Sequence, residues 1–251
     1  MSDFVQSLER GLSVITSFSA ERPSQTLSDV ARETGLTRAT ARRLLLTLVE
    51  LGYIRTDGKH FELTARVLDI GYSFIASLNV QDIAQPYLEA FSERVRESSS
   101  VAVLDDTDIV YVARVPTARI MTVAIGLGSR FPAYQTSMGR VLLAELDNDT
   151  VIDLYRRSDR TRPTERTVGS ATALVDHVAE VRRLGYALVD QELEIGVRSV
   201  AAPLRDGSGR CIAAVNVSTH AGRTSLDQVH DVFVPRLLET AADINVALAR
   251  R

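Results

Sequence analysis

Residues 27–63 constrain the fold of this chain more than any other stretch. The run LSDVARETGLTRATARRLLLTLVELGYIRTDGKHFEL places two amphipathic segments on either side of Gly35, then two β-prone segments on either side of Asp57-Gly58. Val30 and Ala31 stand at core spacing in a short first helix, and Gly35 falls where the following turn needs a positive backbone dihedral. Leu36 packs the turn inward, and Thr37 is a natural N-cap for a second helix. In that helix Ala41, Leu44, Leu45 and Leu48 recur at helical spacing as one apolar stripe, and Gly52 ends it. Tyr53-Ile54-Arg55 and His60-Phe61-Glu62-Leu63 flank Asp57-Gly58, a strong hairpin signal. The pattern predicts a winged helix-turn-helix.

The face opposite the apolar stripe carries Arg38, Thr40, Arg42 and Arg43 near the N-terminal end, where a recognition helix meets base edges and phosphates. Thr37 and the wing residue Lys59 are placed for phosphate. Arginines often only solvate a helix face. Here turn chemistry, an arginine cluster at the correct end and a basic wing coincide, which points to double-stranded DNA as partner. The net charge of −3 does not oppose this, because distribution matters more than the total. Residues 1–80 hold nine basic and nine acidic side chains, but 37–59 hold five basic against two acidic. A patch this modest favours a dimer, which doubles the phosphate contacts.

At 251 residues and 45% hydrophobic content the chain is long enough for two domains. No apolar run approaches the roughly 20 residues needed to span a bilayer. The N-terminus MSDFVQSLERG lacks the pattern of a secretory signal, so a cytoplasmic location is expected, with no membrane partner. The single Cys211 excludes an internal disulfide and reads as a small buried hydrophobe rather than a redox or nucleophilic group. His60, His177, His220 and His230 are scattered, with no i, i+4 pair and no HExxH. With one cysteine they make no zinc set, and no phosphate-binding loop is present. Catalytic residues, metal and cofactor are therefore expected to be none.

Along the chain, residues 4–19 read as a helix that caps the helix-turn-helix core, and Arg22-Pro23-Ser24-Gln25 as a loop. After the wing, Thr64 caps a linker helix reaching about Leu78, whose apolar residues Val67, Leu68, Ile70, Phe74 and Ile75 also suit a dimer contact. A helix follows over 80–96, with Pro86 in its early part. Short β-prone runs come at 101–104, 109–113 and 120–124, a loop around Gly126, Gly128 and Pro132, and helices at 137–146, 150–157 and 171–184. Strands return at 186–189, 199–204 and 211–218, the last two joined by Asp206-Gly207-Ser208-Gly209, before a single final helix over 226–249. Clustered strands with helices at the ends argue for an α+β fold with a mostly antiparallel sheet. The expected organisation is 1–63 for the winged helix-turn-helix, 64–79 for the linker helix and 80–251 for a second domain.

The blocks GLTRATARRLLLTLVELGYI, FPAYQTSMGRVLLA and RRLGYALVDQELEIGVRSVAAPLRDGSGRCIAAVNVS together resemble the IclR-type bacterial transcriptional regulators, over essentially the whole chain. YVARVPTARIM and PAYQTSMGRVLLA further resemble the branch that controls protocatechuate and β-ketoadipate catabolism. The resemblance implies a GAF-like effector domain that binds a small organic acid, and homodimers that can pair into tetramers. It implies an effector pocket on Ser137, Met138 and Gly139, facing Asp190, Ser199, Asn216 and Ser218.

The residues themselves bear on that pocket. Ser137-Met138-Gly139 opens a predicted helix, and is either a cap or a site for an anion, with Gly139 leaving room for backbone approach. Asn216 and Ser218 share one strand face, which suits a polar pocket or a solvent-exposed face. Asp190 would repel an anion and instead binds a hydroxyl, carries a proton or orients an arginine. Glu192 and Glu194 fall on its alternating face if the strand continues, where solvent exposure is expected. Arg119, Arg130 and Arg198 are candidates for the effector carboxylate. Tyr134 either stacks on an aromatic acid or is a buried structural tyrosine, and His220 either contacts the effector or lies on the surface. The combined expectation is a DNA-binding regulator of aromatic-acid catabolism. A regulator sensing a non-aromatic carboxylate, and a metabolite enzyme whose helix-turn-helix mediates protein contacts, are the competing readings.

Overall fold

Thr26 opens the helix-turn-helix with a capping box: its hydroxyl accepts from Asp29 N–H while the Asp29 carboxylate accepts from Thr26 N–H. Helix α2, Leu27–Thr34, ends at Gly35 with φ +66°, the left-handed turn the sequence requires. Helix α3, Arg38–Glu50, begins at Thr37, whose hydroxyl accepts from Thr40 N–H at 3.2 Å. Ahead of both lies α1, Gln6–Thr16. Val14, Phe18, Val30, Leu45, Leu48, Ile54 and Phe61 close one small core. The structure, a computed structural model, describes residues 3–19, 21–71, 80–117 and 125–250 and divides into two units, Met1–Ser77 and Leu78–Arg251.

The wing holds one more strand than expected. Ser24–Thr26, whose first two residues read as loop, is strand β1 and pairs antiparallel with β3, His60–Leu63, which also pairs with β2, Ile54–Thr56. Ser24 and Gln25 have no marked β-propensity, and the segment becomes a strand because β3 offers it a free edge. Beyond Thr64 the chain makes a 3-10 turn, Ala65–Val67, and a helical start to residue 71. The rest of the expected linker helix, and the expected strand at 120–124, lie outside the described residues.

The second unit is a six-stranded sheet, antiparallel throughout. Its strands are β4 Ser98–Asp105, β5 Asp108–Val115, β6 Arg130–Pro132, β7 Ala187–Asp190, β8 Val197–Arg205 and β9 Cys211–His220, in the order β6-β5-β4-β9-β8-β7. One face packs on α4, Val80–Val95, and on the C-terminal helix through Leu88, Phe91, Val215, Leu237 and Ile244. The other packs on α5 Ser137–Leu143, α6 Asn148–Arg157 and α7 Ala171–Leu184. This is the α+β architecture with an antiparallel sheet that the sequence predicts. The C-terminal helix is not continuous: α8, Leu226–Gln228, passes through a π-helical turn, Val229–Phe233, into α9, Val234–Ala249. Pro235 has no N–H to return to the preceding turn, and a widened turn absorbs that loss.

Candidate functional site

Two candidate surfaces emerge, one on each unit. On the first, Arg38, Arg42 and Arg43 project from α3 and are exposed, as are Thr37 and Lys59, while Thr40 is half-buried beneath Thr37. Three other basic residues of this unit are paired with carboxylates, Arg22 with Glu33, Arg32 with Asp29, and Arg55 with Glu62 at 2.7 Å, and Arg66 donates to the Leu51 carbonyl at 2.7 Å. Among the described residues Arg38, Arg42, Arg43 and Lys59 have no carboxylate within 4.0 Å. Lys59 is held at the wing tip by Asp57, whose Oδ1 accepts from Lys59 N–H at 2.8 Å and His60 N–H at 2.7 Å. Those two N–H groups hold the Asp57 carboxyl down to about 2.

On the second unit the antiparallel register assembles a polar surface on the sheet face that carries α5. Ser199 on β8 stands opposite Ser218 on β9, which stands opposite Ser98 on β4. Two residues along, Ala201, Asn216, Ser100 and Arg114 form the next row across β8, β9, β4 and β5. The Asn216 amide donates to Ser199 Oγ at 3.0 Å and Ser218 Oγ at 3.2 Å, and Ser199 Oγ lies 2.7 Å from Ser137 Oγ. Four predicted residues, Ser137, Ser199, Asn216 and Ser218, thus form one hydrogen-bonded cluster. They line a small cavity, partly open to solvent, with Gln135 and Thr136 beside them. Tyr111, Ile125, Val189, Leu193 and Val197 make its apolar wall, and Glu194 also lines it. Among the described residues three buried side-chain atoms have no hydrogen-bond partner: Gln25 Oε1, Glu194 Oε2 and Asn216 Oδ1. The last two belong to residues of this one cavity.

Other predicted positions fall elsewhere. Met138 is fully buried in the core beneath α5. Gly139 makes room for protein rather than ligand: a Cβ there would lie 2.0 Å from the Ala133 carbonyl oxygen. Asp190 follows the cavity residue Val189 on β7, so its side chain leaves on the opposite sheet face. There it meets Arg198 at 2.7 Å and Arg166. Burial alone would raise the Asp190 carboxyl, but those arginines hold it below its ordinary value. Of its three expected roles, the geometry shows the orienting of an arginine. Arg198 is spent on Asp190 and the Thr224 carbonyl, and Arg130 on Asp105 and Asp108. Arg119 lies outside the described residues.

Tyr134 is structural: it packs edge-on against Tyr155 at 5.1 Å, with its hydroxyl 3.2 Å from the Asp159 and Thr161 carbonyls. His220 accepts from Gly222 N–H at 3.1 Å and does not line the cavity. Glu192 is not solvated as expected. It is buried and binds Arg140 at 2.6 Å and Val168 N–H at 3.0 Å.

Sequence reasoning missed Tyr111 and Arg114. Burial pushes the Tyr111 phenol up to about 12, so it stays protonated, and its ring meets Phe131 edge-on at 5.8 Å. Burial pulls the half-buried Arg114 guanidinium below its ordinary value. Arg114 lies 3.4 Å from Ser100 Oγ and has no carboxylate partner within 4.0 Å among the described residues. Its signal was present in the alternation of β5, but a bulge opposite Val101 and Ala102 shifts the register and hides it.

Known proteins resemble this chain over both units. The model of the bacterial transcriptional regulator IclR C-terminal domain matches residues 72–246, and the IclR helix-turn-helix domain matches residues 7–58. The Pca regulon regulatory protein of Pseudomonas putida is 40% identical over 243 residues, 96% of this chain and 84% of that protein. The crystal structure of a Rhodococcus sp. RHA1 protein described as a transcriptional regulator shares 54% identity with a TM-score of 0.86, covering 98% of this chain and 99% of that one. An IclR homolog from Microbacterium hydrocarbonoxydans complexed with 4-hydroxybenzoate shares 25% identity with a TM-score of 0.85, covering 98% of this chain and 100% of that one.

Proposed function

The chain belongs to the IclR family of bacterial transcriptional regulators, and we propose that it reads operator DNA with α3 and the wing and changes that binding when a small aromatic acid fills the cavity of the second unit. The observation that carries the DNA reading is the clustering on α3 and the wing of four basic side chains, Arg38, Arg42, Arg43 and Lys59, that have no carboxylate partner among the described residues, while Arg22, Arg32 and Arg55 are paired. Arg38, Thr40, Arg42 and Arg43 enter the major groove, while Thr37 and Lys59 touch phosphate. The protein acts in the cytoplasm as a homodimer, with a dimer of dimers as the larger assembly. Exposed Leu8 and Leu12 on α1, with Leu68 and Ile70 beyond the wing, support a self-contact.

The effector lies against Ser137, Ser199, Asn216 and Ser218, hydroxyls and an amide that can turn their donors toward a carboxylate. Arg114, lacking a carboxylate partner among the described residues and two strands from Asn216 in the same row, adds positive charge on the same face. The Pseudomonas Pca regulator and the 4-hydroxybenzoate complex support aromatic-acid catabolism as the controlled pathway and regulation, not catalysis, as the activity. The effector shifts the DNA-binding equilibrium by binding one state of the protein better than another.

Fluorescence anisotropy on the DNA upstream of the protein's own gene, with and without 4-hydroxybenzoate or protocatechuate, tests this. Ser218→Leu is expected to keep DNA affinity and lose the response. A full response from that variant overturns the cavity assignment, and affinity independent of salt overturns the DNA reading.

A further inference from the structure

We infer that Glu194 selects the effector by its hydroxyl group: the cavity takes a hydroxybenzoate whose phenolic O–H donates to the Glu194 carboxylate, and disfavours acids of similar shape that lack that donor. The inference rests on the cavity being the effector site.

Glu194 is the one carboxylate among the described residues of the cavity lining, set between Leu193 and Val197 in an otherwise apolar wall. Its Oε2 is withdrawn from solvent and receives no hydrogen bond. An ionised carboxylate only accepts, so whatever satisfies it must donate. Leaving such an acceptor buried and unmet is costly, and a ligand that supplies the donor recovers that cost on binding.

The loop that carries Glu194 is tied at both ends. Gln191 N–H donates to the Val197 carbonyl at 2.8 Å, Val197 N–H to the Glu194 carbonyl at 3.1 Å, and Gly196 N–H to Gln191 Oε1 at 3.1 Å. Glu194 is therefore presented to the cavity by a braced turn. Asn216, the other residue with an unpartnered atom, can turn either end of its amide to a ligand and so adapts to a carboxylate or a hydroxyl. Glu194 cannot adapt, and it repels a second negative charge. A hydroxybenzoate places its carboxylate among Ser137, Ser199, Ser218 and Asn216, and its hydroxyl at Glu194. β-Ketoadipate is a dianion with no O–H to give at neutral pH, and benzoate has the ring and the carboxylate without the donor.

Calorimetric titration of the full chain with 4-hydroxybenzoate and with benzoate tests the inference. The wild type is expected to prefer 4-hydroxybenzoate by about tenfold or more, since a site built to bond a hydroxyl rejects the analogue lacking it. Glu194→Leu should bring the two affinities within about threefold of each other, with benzoate bound at least as well as by the wild type. Glu194→Gln retains an acceptor and should keep part of the preference, so it serves as the readout if the leucine variant does not fold. An unchanged preference in Glu194→Leu, or equal binding of both acids by the wild type, overturns the role of Glu194 and leaves the cavity assignment standing. Binding of neither acid by the wild type overturns both.

Discussion

Replacing Arg140 by methionine should unfold the effector unit far more readily, and the size of the effect follows from what the guanidinium holds. Arg140 is 2% exposed and its partner Glu192 9% exposed at the side chain. Its Nη2 donates to Glu192 Oε2 at 2.6 Å and its Nε to the Tyr134 carbonyl at 3.1 Å. Methionine fills a similar volume but donates nothing. Glu192 would then be a buried carboxylate whose remaining hydrogen bond among the described residues is from the Val168 N–H at 3.0 Å, with His177 within electrostatic range. Removing one partner of a buried pair costs about 3–5 kcal/mol, which at ~2–4 °C per kcal/mol for a unit of this size is a melting shift on the order of 10 °C. Replacing both groups removes the stranded charge, so Arg140→Met with Glu192→Leu should recover ~2 kcal/mol or more over the single variant. Urea unfolding followed by far-ultraviolet circular dichroism measures both. A single variant within ~1 kcal/mol of wild type, or a double variant no better than the single, would refute the argument that an uncompensated charge sets the penalty.

Arg42→Ala should weaken operator binding and reduce the slope of log affinity against log salt by about 1, measured by anisotropy across salt concentrations; an unchanged slope removes Arg42 from the phosphate and base contacts. Gly139→Ala should destabilise by ~1–3 kcal/mol or more, because its Cβ would sit 2.0 Å from the Ala133 carbonyl oxygen; an unchanged melting temperature would mean the turn before α5 yields freely. Burial pushes the Cys211 thiol up to about 11, so iodoacetamide should alkylate the native protein slowly at pH 8, faster as the pH approaches that value, and rapidly in urea. Fast native alkylation at pH 8 would contradict the burial.

The first unit was legible because its signals are local. Gly35, Thr37 and Asp57-Gly58 act within a few residues of themselves, and the apolar stripe of α3 needs only its own periodicity. Strand β1 was not legible, since Ser24–Thr26 acquires its ladder from residues 60–62 far along the chain. In the second unit period-two reasoning put Asn216 and Ser218 on one face, and the cross-strand register adds Ser199 to the same row. The same reasoning failed one residue past β7. Gln191 turns with φ +62°, so the strand stops at Asp190 and alternation no longer says where Glu192 and Glu194 point. Asp190 was placed in the pocket by resemblance, yet its neighbour Val189 holds the inward position.

That turn gives two glutamates, two residues apart, opposite circumstances. Glu192 has a guanidinium and a backbone N–H, and it joins the loop to the Arg140 turn of α5. Glu194 reaches the cavity wall with one oxygen buried and unmet. A paired buried charge contributes to the fold only as long as both partners remain, so loss of Glu192 must be read first as a change in stability. An unpaired one contributes nothing that its removal could forfeit, and taking it away should leave the melting temperature unchanged or raise it. A Glu194 variant that alters ligand preference therefore does so in a protein that still folds, which is what separates a recognition group from a structural one in the same loop.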